Sequence, residues 1–270
     1  MDFGLEGKRA FVSGSTGGIG AAIARMLAAH GARVVVHGRE AARAEKMVAE
    51  IGAAGGDAIA ALGDVGSDEA VAAMAEQVLD QFGGIDILVN NAGDAQPFSP
   101  DWFAVEPDQF LASYNRNVVA AVRFARAFVP GMRARGWGRI ILISSNSYTK
   151  PAVDFPAYPP GKAALVNLAI GWAKVLSNTG ITSNVISPGA VLTETMASNL
   201  LPMAQAEGWT DTDPAVIEHR LVTEKWPNHV GRMGRPDDIA AAVTFVASQM
   251  AGYMTGANIK IDGGDALSFG

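Results

Sequence analysis

Between a short β-branched run and an alanine-rich stretch the chain reads Ser13-Gly14-Ser15-Thr16-Gly17-Gly18-Ile19-Gly20. Residues 8–12 predict a strand and residues 19–30 a helix. A strand that turns over glycines straight into a helix opens a βαβ unit, which confines the chain to folds built on a parallel sheet. The glycines permit a tight turn and let the backbone approach a ligand. They also aim the N–H groups at the start of the helix toward an anion such as a pyrophosphate. Glycine runs also punctuate plain strand–helix joints; the position after the first strand is what points to a dinucleotide. The spacing is not the commoner G-x-G-x-x-G, because three residues separate Gly14 from Gly18. A Walker A loop is excluded, since Gly161-Lys162 has Pro156 where the leading glycine belongs.

The rest of the chain keeps the alternation. Strands are predicted over 33–37, 58–62, 85–90, 139–144, 182–186 and 258–261, and helices over 42–51, 68–82, 108–133, 157–176 and 236–248. Strands without polar alternation belong in a parallel sheet covered on both faces. The expected fold is therefore α/β, a Rossmann-type doubly wound parallel β-sheet flanked by helices. No linker or repeat divides the 270 residues, so one domain is expected.

Composition removes other classes. A formal net charge of −6 argues against general affinity for nucleic acid or anionic membrane. The tightest basic cluster, Arg133, Arg135 and Arg139 around Trp137, reads as a solvated loop entering a strand. Cysteine is absent, which excludes disulfides, thiolate nucleophiles and zinc–sulfur sites. His30, His37, His219 and His229 lack metal-ligand spacing, so no metal is expected. No G-x-S-x-G elbow supports a serine hydrolase. With no signal-type run and no bilayer-length apolar stretch, a cytoplasmic location is expected.

The second predicted strand ends Val36-His37-Gly38-Arg39. An acid there would accept hydrogen bonds from an adenosine ribose. Gly38 removes that carboxylate, and the Arg39 guanidinium is a planar fork suited to a 2′-phosphate. NADP is the expected cofactor, with NAD as the alternative because Glu40 could reach a ribose.

Ser13 to Gly20, Asp64-Val65, Asn90-Asn91-Ala92-Gly93, Asn117, Ser145, Tyr158 with Lys162, Pro188-Gly189 and Gly231 to Pro236 occur in one order. Together they resemble the short-chain dehydrogenase/reductase (SDR) family over essentially the whole chain. The resemblance implies that Gly14, Ser15, Thr16, Gly18, Ile19 and Gly20 form the phosphate turn. It places Asp64 and Val65 against the adenine and Asn91, Ala92 and Gly93 along the cleft. Val191 and Thr193, after Pro188 and Gly189, would hold the nicotinamide carboxamide and pyrophosphate. A homotetramer, formed partly through helices 108–133 and 157–176, is also implied.

Removing a hydride from a secondary alcohol requires a base for the hydroxyl proton, and the reverse requires an acid. A tyrosine with a pKa of about 10 is a poor base near neutrality; an adjacent ammonium and a nicotinamide cation favour the phenolate. A pKa lower by about three corresponds to about 4 kcal/mol. Tyr158 and Lys162 are four apart, hence on one face of a helix. Ser145 follows a strand at the carboxyl edge, where its hydroxyl can hold a substrate oxygen. By the resemblance, Asn117 opens a helix hydrogen bond and positions water for proton relay. Singly, these residues also read as a chance helical pair, a turn serine and a buried amide. Their combination behind a dinucleotide turn carries the catalytic assignment.

Tyr158-Pro159-Pro160-Gly161-Lys162 departs from the family, which usually has small helix-compatible residues between the tyrosine and the lysine. Proline suits only a helix's first turn, and the residue before it is pushed out of the α region. The helix is predicted to begin at about Pro159, with Tyr158 at the N-cap boundary.

Residues 193–235 form a segment of low periodicity, longer than the family commonly carries, with Met196, Leu200, Leu201, Met203, Trp209 and Trp226. Phe98, Trp102, Phe103 and Phe155 lie in loops at the same sheet edge. Read as a substrate lid, they predict a pocket for a hydrophobic or ring-bearing carbonyl; a lid packed on itself is the alternative. The expected activity is hydride transfer between NADP(H) and a secondary alcohol or ketone. A 3-oxoacyl-[acyl-carrier-protein]-type reductase would need a basic docking face, which is not evident. A non-catalytic cofactor-binding scaffold would tolerate loss of the tyrosine or lysine, and neither is lost.

Overall fold

Runs of Val, Ile and Leu with no polar alternation must be covered on both sides. The computed structural model, which describes residues 2–95 and 97–265, shows that arrangement. The strands β1 (Arg9–Val12), β2 (Arg33–Gly38), β3 (Asp57–Leu62), β4 (Ile87–Asn90), β5 (Gly138–Ile143), β6 (Ile181–Pro188) and β7 (Asn258–Ile261) form one parallel sheet. Their order is β3-β2-β1-β4-β5-β6-β7.

Successive strand residues point to opposite faces. Ala10, Val12, Val34, Val36, Ile141 and Ile143 meet one helical layer, α1 (Gly18–Ala29), α2 (Ala41–Ala53) and α9 (Pro236–Ala247). Phe11, Val35, Leu88 and Leu142 meet the other, α3 (Asp68–Phe82), α5 (Ala120–Arg135) and α6 (Tyr158–Val175). Phe11 and Phe124 pack with centroids 4.7 Å apart. Burying each such side chain contributes about 1.5–3 kcal/mol, and this pair seats α5 on the centre of the sheet. The chain leaves β1 toward β2 and β4 toward β5. The loops after β1 and β4 therefore diverge, and a crevice opens at their carboxyl ends.

Four expectations change. The helix expected over 108–133 is α4 (Pro107–Tyr114), a π turn at Asn115–Val119, and then α5. Inside that turn the Asn117 side-chain amide donates to the Ser113 carbonyl at 3.0 Å, competing with the backbone ladder. The helix expected to start at Pro159 starts at Tyr158, with Ala157 as its cap. Pro159 and Pro160 fall in the first turn, where no intrahelical N–H is required. Residues 193–235 hold α7 (Glu194–Ala206), α8 (Pro214–Arg220) and a second π turn at Leu221–Lys225. Finally, the basic cluster is not a solvated loop. Arg139 is buried over Trp137 with its Nε donating to the Ser248 carbonyl at 3.2 Å, and Arg135 Nε donates to Asp86 at 3.0 Å. Among the described residues no helix is long and apolar enough to cross a membrane.

Candidate active site

Gly14 and Gly18 adopt φ of 64° and 55°, which glycine enters without strain. A Cβ on Gly20 would stand 2.2 Å from the Gly14 carbonyl oxygen. Ser13 Oγ accepts from the Asn91 and Ala92 N–H groups at 2.9 Å, and Asn91 Nδ2 donates to the Ser13 and Gly14 carbonyls at 3.0 and 3.1 Å. The two diverging loops are thereby joined into one floor. Ser15 belongs to the same turn. It is buried, its hydroxyl donates to the Val12 carbonyl at 2.7 Å, and it accepts from His37 N–H at 2.9 Å. Both functions of the hydroxyl are engaged within the turn, so Ser15 braces it while Gly14 and Thr16 line the cleft.

One end of the cleft, about 260 Å³, is bounded by Gly14, Thr16, Gly38, Arg39, Asp64 and Val65. A Cβ on Gly38 would meet Thr16 Cγ2 at 2.5 Å, so glycine there admits the turn as well as removing the acid. Asp64 Oδ1 accepts from Gly66 N–H at 2.8 Å, which shapes the rim. Arg43 went unnoticed in the sequence. Its Nη2 lies 2.9 Å from the Cβ position of Gly17, directly beside the phosphate turn, and its ion pair with Glu40 is a loose 3.9 Å. A basic residue in the first turn of the helix after β2 was the available signal.

The other end, about 370 Å³, shares Asn91, Gly93 and Asp94 with the first and adds Ile19, Ser145, Tyr158, Lys162, Pro188, Gly189, Val191 and Thr193. β5 delivers Ser145 to this edge. Its Oγ accepts from Ser147 N–H at 3.2 Å and donates to Asn146 Oδ1 at 3.4 Å, and the hydroxyl stands close enough to the Tyr158 phenol to act against its raised pKa. Lys162 is buried, donates to the Ile143 carbonyl at 2.9 Å, and lies 5.2 Å from the Tyr158 ring centre. Ser144 Oγ donates to the Lys162 carbonyl at 2.8 Å, which pins α6 to β5. The π turn points Asn117 into the same corner, where Nδ2 donates to the Asp94 and Ser113 carbonyls at 3.0 Å. Asn117 Oδ1 is buried with no hydrogen-bond partner among the described residues. The Cβ position of Gly93 is 2.4 Å from that oxygen and 3.6 Å from Lys162 Nζ, so only glycine fits between them. Thr193 Oγ1 caps α7 by accepting from Met196 N–H at 3.2 Å, and its methyl faces Gly18.

Burial dominates the electrostatics of this corner. Burial pushes the Tyr158 phenol above its ordinary pKa, against the lowering effect of Ser145, and the Asp94 charge raises it further. Burial lowers Lys162 to about 8, with Asp94 acting in the opposite sense. Burial thus favours the neutral phenol over the phenolate.

The apolar residues expected to line a substrate pocket are mostly engaged elsewhere. Met196 reaches the cleft. Leu200, Met203, Trp209 and Trp226 pack with Ile217, Leu221 and Met233 into a core of the segment's own, and Leu201 is exposed. Phe98 packs edge-on against Phe155 at 5.6 Å, the Trp102 indole N–H donates to the Val153 carbonyl at 2.6 Å, and Phe103 faces solvent.

The fit to a dinucleotide rests on this geometry: a glycine cradle that side chains would fill, a basic rim at one end, and a proton-bearing corner at the other. Residues 8–203 match the family model for short chain dehydrogenase. D-beta-hydroxybutyrate dehydrogenase of Cupriavidus necator is 37% identical over 264 residues, 96% of this chain and 98% of that one. L-sorbose reductase from Gluconobacter frateurii, solved with NADPH and L-sorbose, superposes with a TM-score of 0.93 at 32% identity over 100% of both chains. A 3-oxoacyl (acyl-carrier-protein) reductase from Agrobacterium tumefaciens with NADP bound gives 0.85 at 33% identity, covering 97% of this chain and 96% of that one. With its parallel sheet, its glycine cradle and a family match over most of its length, the chain belongs to the short-chain dehydrogenase family.

Proposed function

We propose that the protein is an oxidoreductase that transfers a hydride between NADP(H) and a small secondary alcohol or ketone, with Tyr158 as general acid and base. The observation that carries this is the convergence of Ser145, Tyr158 and Lys162 at one end of a cleft whose other end is a glycine turn rimmed by Arg39 and Arg43. When bound, the nicotinamide supplies the hydride for reduction or accepts it in oxidation.

The backbone at Gly14, Thr16, Gly18, Ile19 and Gly20 holds the pyrophosphate, and Arg39 with Arg43 holds the 2′-phosphate. Asp64 and Val65 meet the adenine; Asn91, Ala92, Gly93, Pro188, Gly189, Val191 and Thr193 flank the nicotinamide half. In reduction the carbonyl oxygen accepts hydrogen bonds from Ser145 and Tyr158, and the phenol proton passes to the forming alkoxide. The raised phenol pKa suits this acid role. Lys162 then stabilises the phenolate. Asn117 Oδ1 and Lys162 Nζ, on either side of Gly93, hold one water between them that returns the proton. Oxidation runs the same transfers backward.

The substrate reading shifts from hydrophobic to small and polar. Asp94 and Ser145 are the polar walls of the reacting corner, beside the small Ala95, Gly189 and Ala190 and the apolar Ile143, Val191 and Met196, while the other large apolar residues buried in the lid over 193–235 pack on one another. The likeness to L-sorbose reductase favours the same class. Exposed Leu111, Ile170 and Val175 on α4 and α6 support assembly as a homotetramer through these helices.

The test is fluorescence titration with NADPH and NADH, followed by nicotinamide absorbance with L-sorbose, acetoacetate, a decalone and a 3-oxoacyl thioester. NADPH binding and turnover of the polar hydroxyketone are expected. Tighter binding of NADH, or preference for the decalone, would reject the corresponding part.

A further inference from the structure

Among the buried titratable side chains to which the proposed chemistry gives no role, His37 is the one that lines the cleft. His37 lies in β2, 3% exposed, at the floor of the adenosine end of the cleft. Its hydrogen bonds all run to the loops that form that end. Gly14 N–H donates to Nδ1 at 2.9 Å, Ser15 N–H donates to the His37 carbonyl at 2.8 Å, and His37 N–H donates to Ser15 Oγ at 2.9 Å. On the far edge of the ring Nε2 is 3.2 Å from the Gly63 carbonyl.

These partners decide the state of the imidazole. A backbone N–H only donates and a carbonyl only accepts. Nδ1 must therefore carry its lone pair and Nε2 its hydrogen, in a neutral ring. Phe11 and Phe124 pack at centroid distances of 5.8 and 6.1 Å, which fixes the ring plane. Burial acts in the same direction and lowers the ring's pKa to about 4.

Gly14 opens the phosphate turn after β1, while Gly63 precedes Asp64 after β3. These strands do not touch, because β2 runs between them. A glycine turn has no side chains of its own to lock it. The imidazole spans from one wall to the other, and Gly63 N–H donates to the Gly38 carbonyl at 3.1 Å, closing the frame.

We propose that His37 is a positioning residue that sets the width of the adenosine half of the cleft, by bridging Gly14 of the phosphate turn to Gly63 of the adenine rim. This rests on the NADP(H) reading above. His37 acts through the two loops, so its effect belongs to ligands carrying the adenosine half and to cofactor KM rather than kcat.

The test compares the whole protein with His37→Phe and His37→Asn. Phenylalanine keeps the ring and its aromatic neighbours but makes neither hydrogen bond; asparagine can accept from Gly14 N–H but is too short for Gly63. Calorimetry gives the Kd of NADPH and of 2′,5′-ADP, which carries only the adenosine half. Proton–nitrogen spectra give the tautomer of His37 in the unsubstituted protein. We expect an unprotonated Nδ1 and a protonated Nε2 at neutral pH. His37→Phe should weaken both ligands by a common factor of about tenfold, with His37→Asn intermediate and the loss carried by cofactor KM. Three results would overturn the proposal: a proton on Nδ1, a folded His37→Phe variant that binds both ligands as tightly as the parent, or a loss confined to kcat. If neither variant folds, the tautomer and the hydrogen exchange of Gly14 N–H decide, and a fast-exchanging Gly14 amide sinks the idea. A parent protein that binds neither NADPH nor NADH overturns the cofactor reading and this inference together; normal binding by His37→Phe overturns the inference alone.

Discussion

Lys162 Nζ is anchored on the Ile143 carbonyl, 2.9 Å away, and from there lies 5.2 Å from the centre of the Tyr158 ring. The strand that delivers Ser145 to the cleft thus also anchors the lysine amine beside the tyrosine. β5 sets the spacing of all three groups. Four predictions follow from this arrangement and the cleft around it.

Tyr158→Phe removes the transferable proton and little else, since the ring and its packing stay. Turnover should fall by about 10²–10⁴-fold, while NADPH affinity by fluorescence titration stays within about twofold. Undiminished turnover would remove Tyr158 from the chemistry.

Burial raises the Tyr158 pKa, so the neutral phenol persists through neutral pH. Reduction, which uses the phenol, should be flat from mildly acid to neutral conditions. Oxidation needs the phenolate and should climb by about tenfold per pH unit in the limit where that fraction controls the rate. Initial rates in both directions across pH provide the check; an oxidation rate falling with pH would contradict it.

His37 is lowered from 6.5 to about 4 in the folded protein, by burial first and by Arg39. The Gly63 carbonyl and Asp64 act the other way. Between those values the unfolded chain binds a proton that the folded chain refuses, so stability rises with pH across the window. Full stability from this group is present above about pH 6.5 and is lost progressively toward pH 4, up to about 3 kcal/mol. Urea midpoints over this range should shift less in His37→Phe. Equal slopes in both proteins would refute the assignment.

Arg39 and Arg43 flank the adenosine end, and the 2′-phosphate is the group that distinguishes NADPH from NADH. Arg43→Ala or Arg39→Ala should weaken NADPH by about tenfold and leave NADH nearly unchanged. Parallel losses for both cofactors would mean that the arginines support the fold instead.

Much of this was readable one residue type at a time. The glycine turn, the end of β4 at Asn90 and the fourfold spacing of Tyr158 and Lys162 are local patterns, and each predicted element of the sheet is present within a few residues of its expected limits. The π turn at Asn115–Val119 was not readable from periodicity, although the resemblance implied an opened helix hydrogen bond at Asn117. Its cause is a side-chain amide choosing the Ser113 and Asp94 carbonyls, a competition that helical periodicity does not record. The start of α6 moved by one residue because a turn leads straight into it: Tyr158 N–H donates to the Phe155 carbonyl at 3.2 Å, and Tyr158 is helical although it precedes Pro159.

The sequence alone determined the class of sheet, the place of the glycine turn and the fourfold spacing of Tyr158 and Lys162, because strand and helix periods and short-range spacing act within a few residues. Tertiary structure decided the rest. Ser15 was drawn into the turn, His37 became a brace between β1 and β3, and Arg43 came to lie beside Gly17. The large side chains of residues 193–235 found one another before they could line a pocket. Each of these outcomes depends on neighbours far away in the chain, and hydrogen bonding and burial respond to those neighbours, not to position along the sequence.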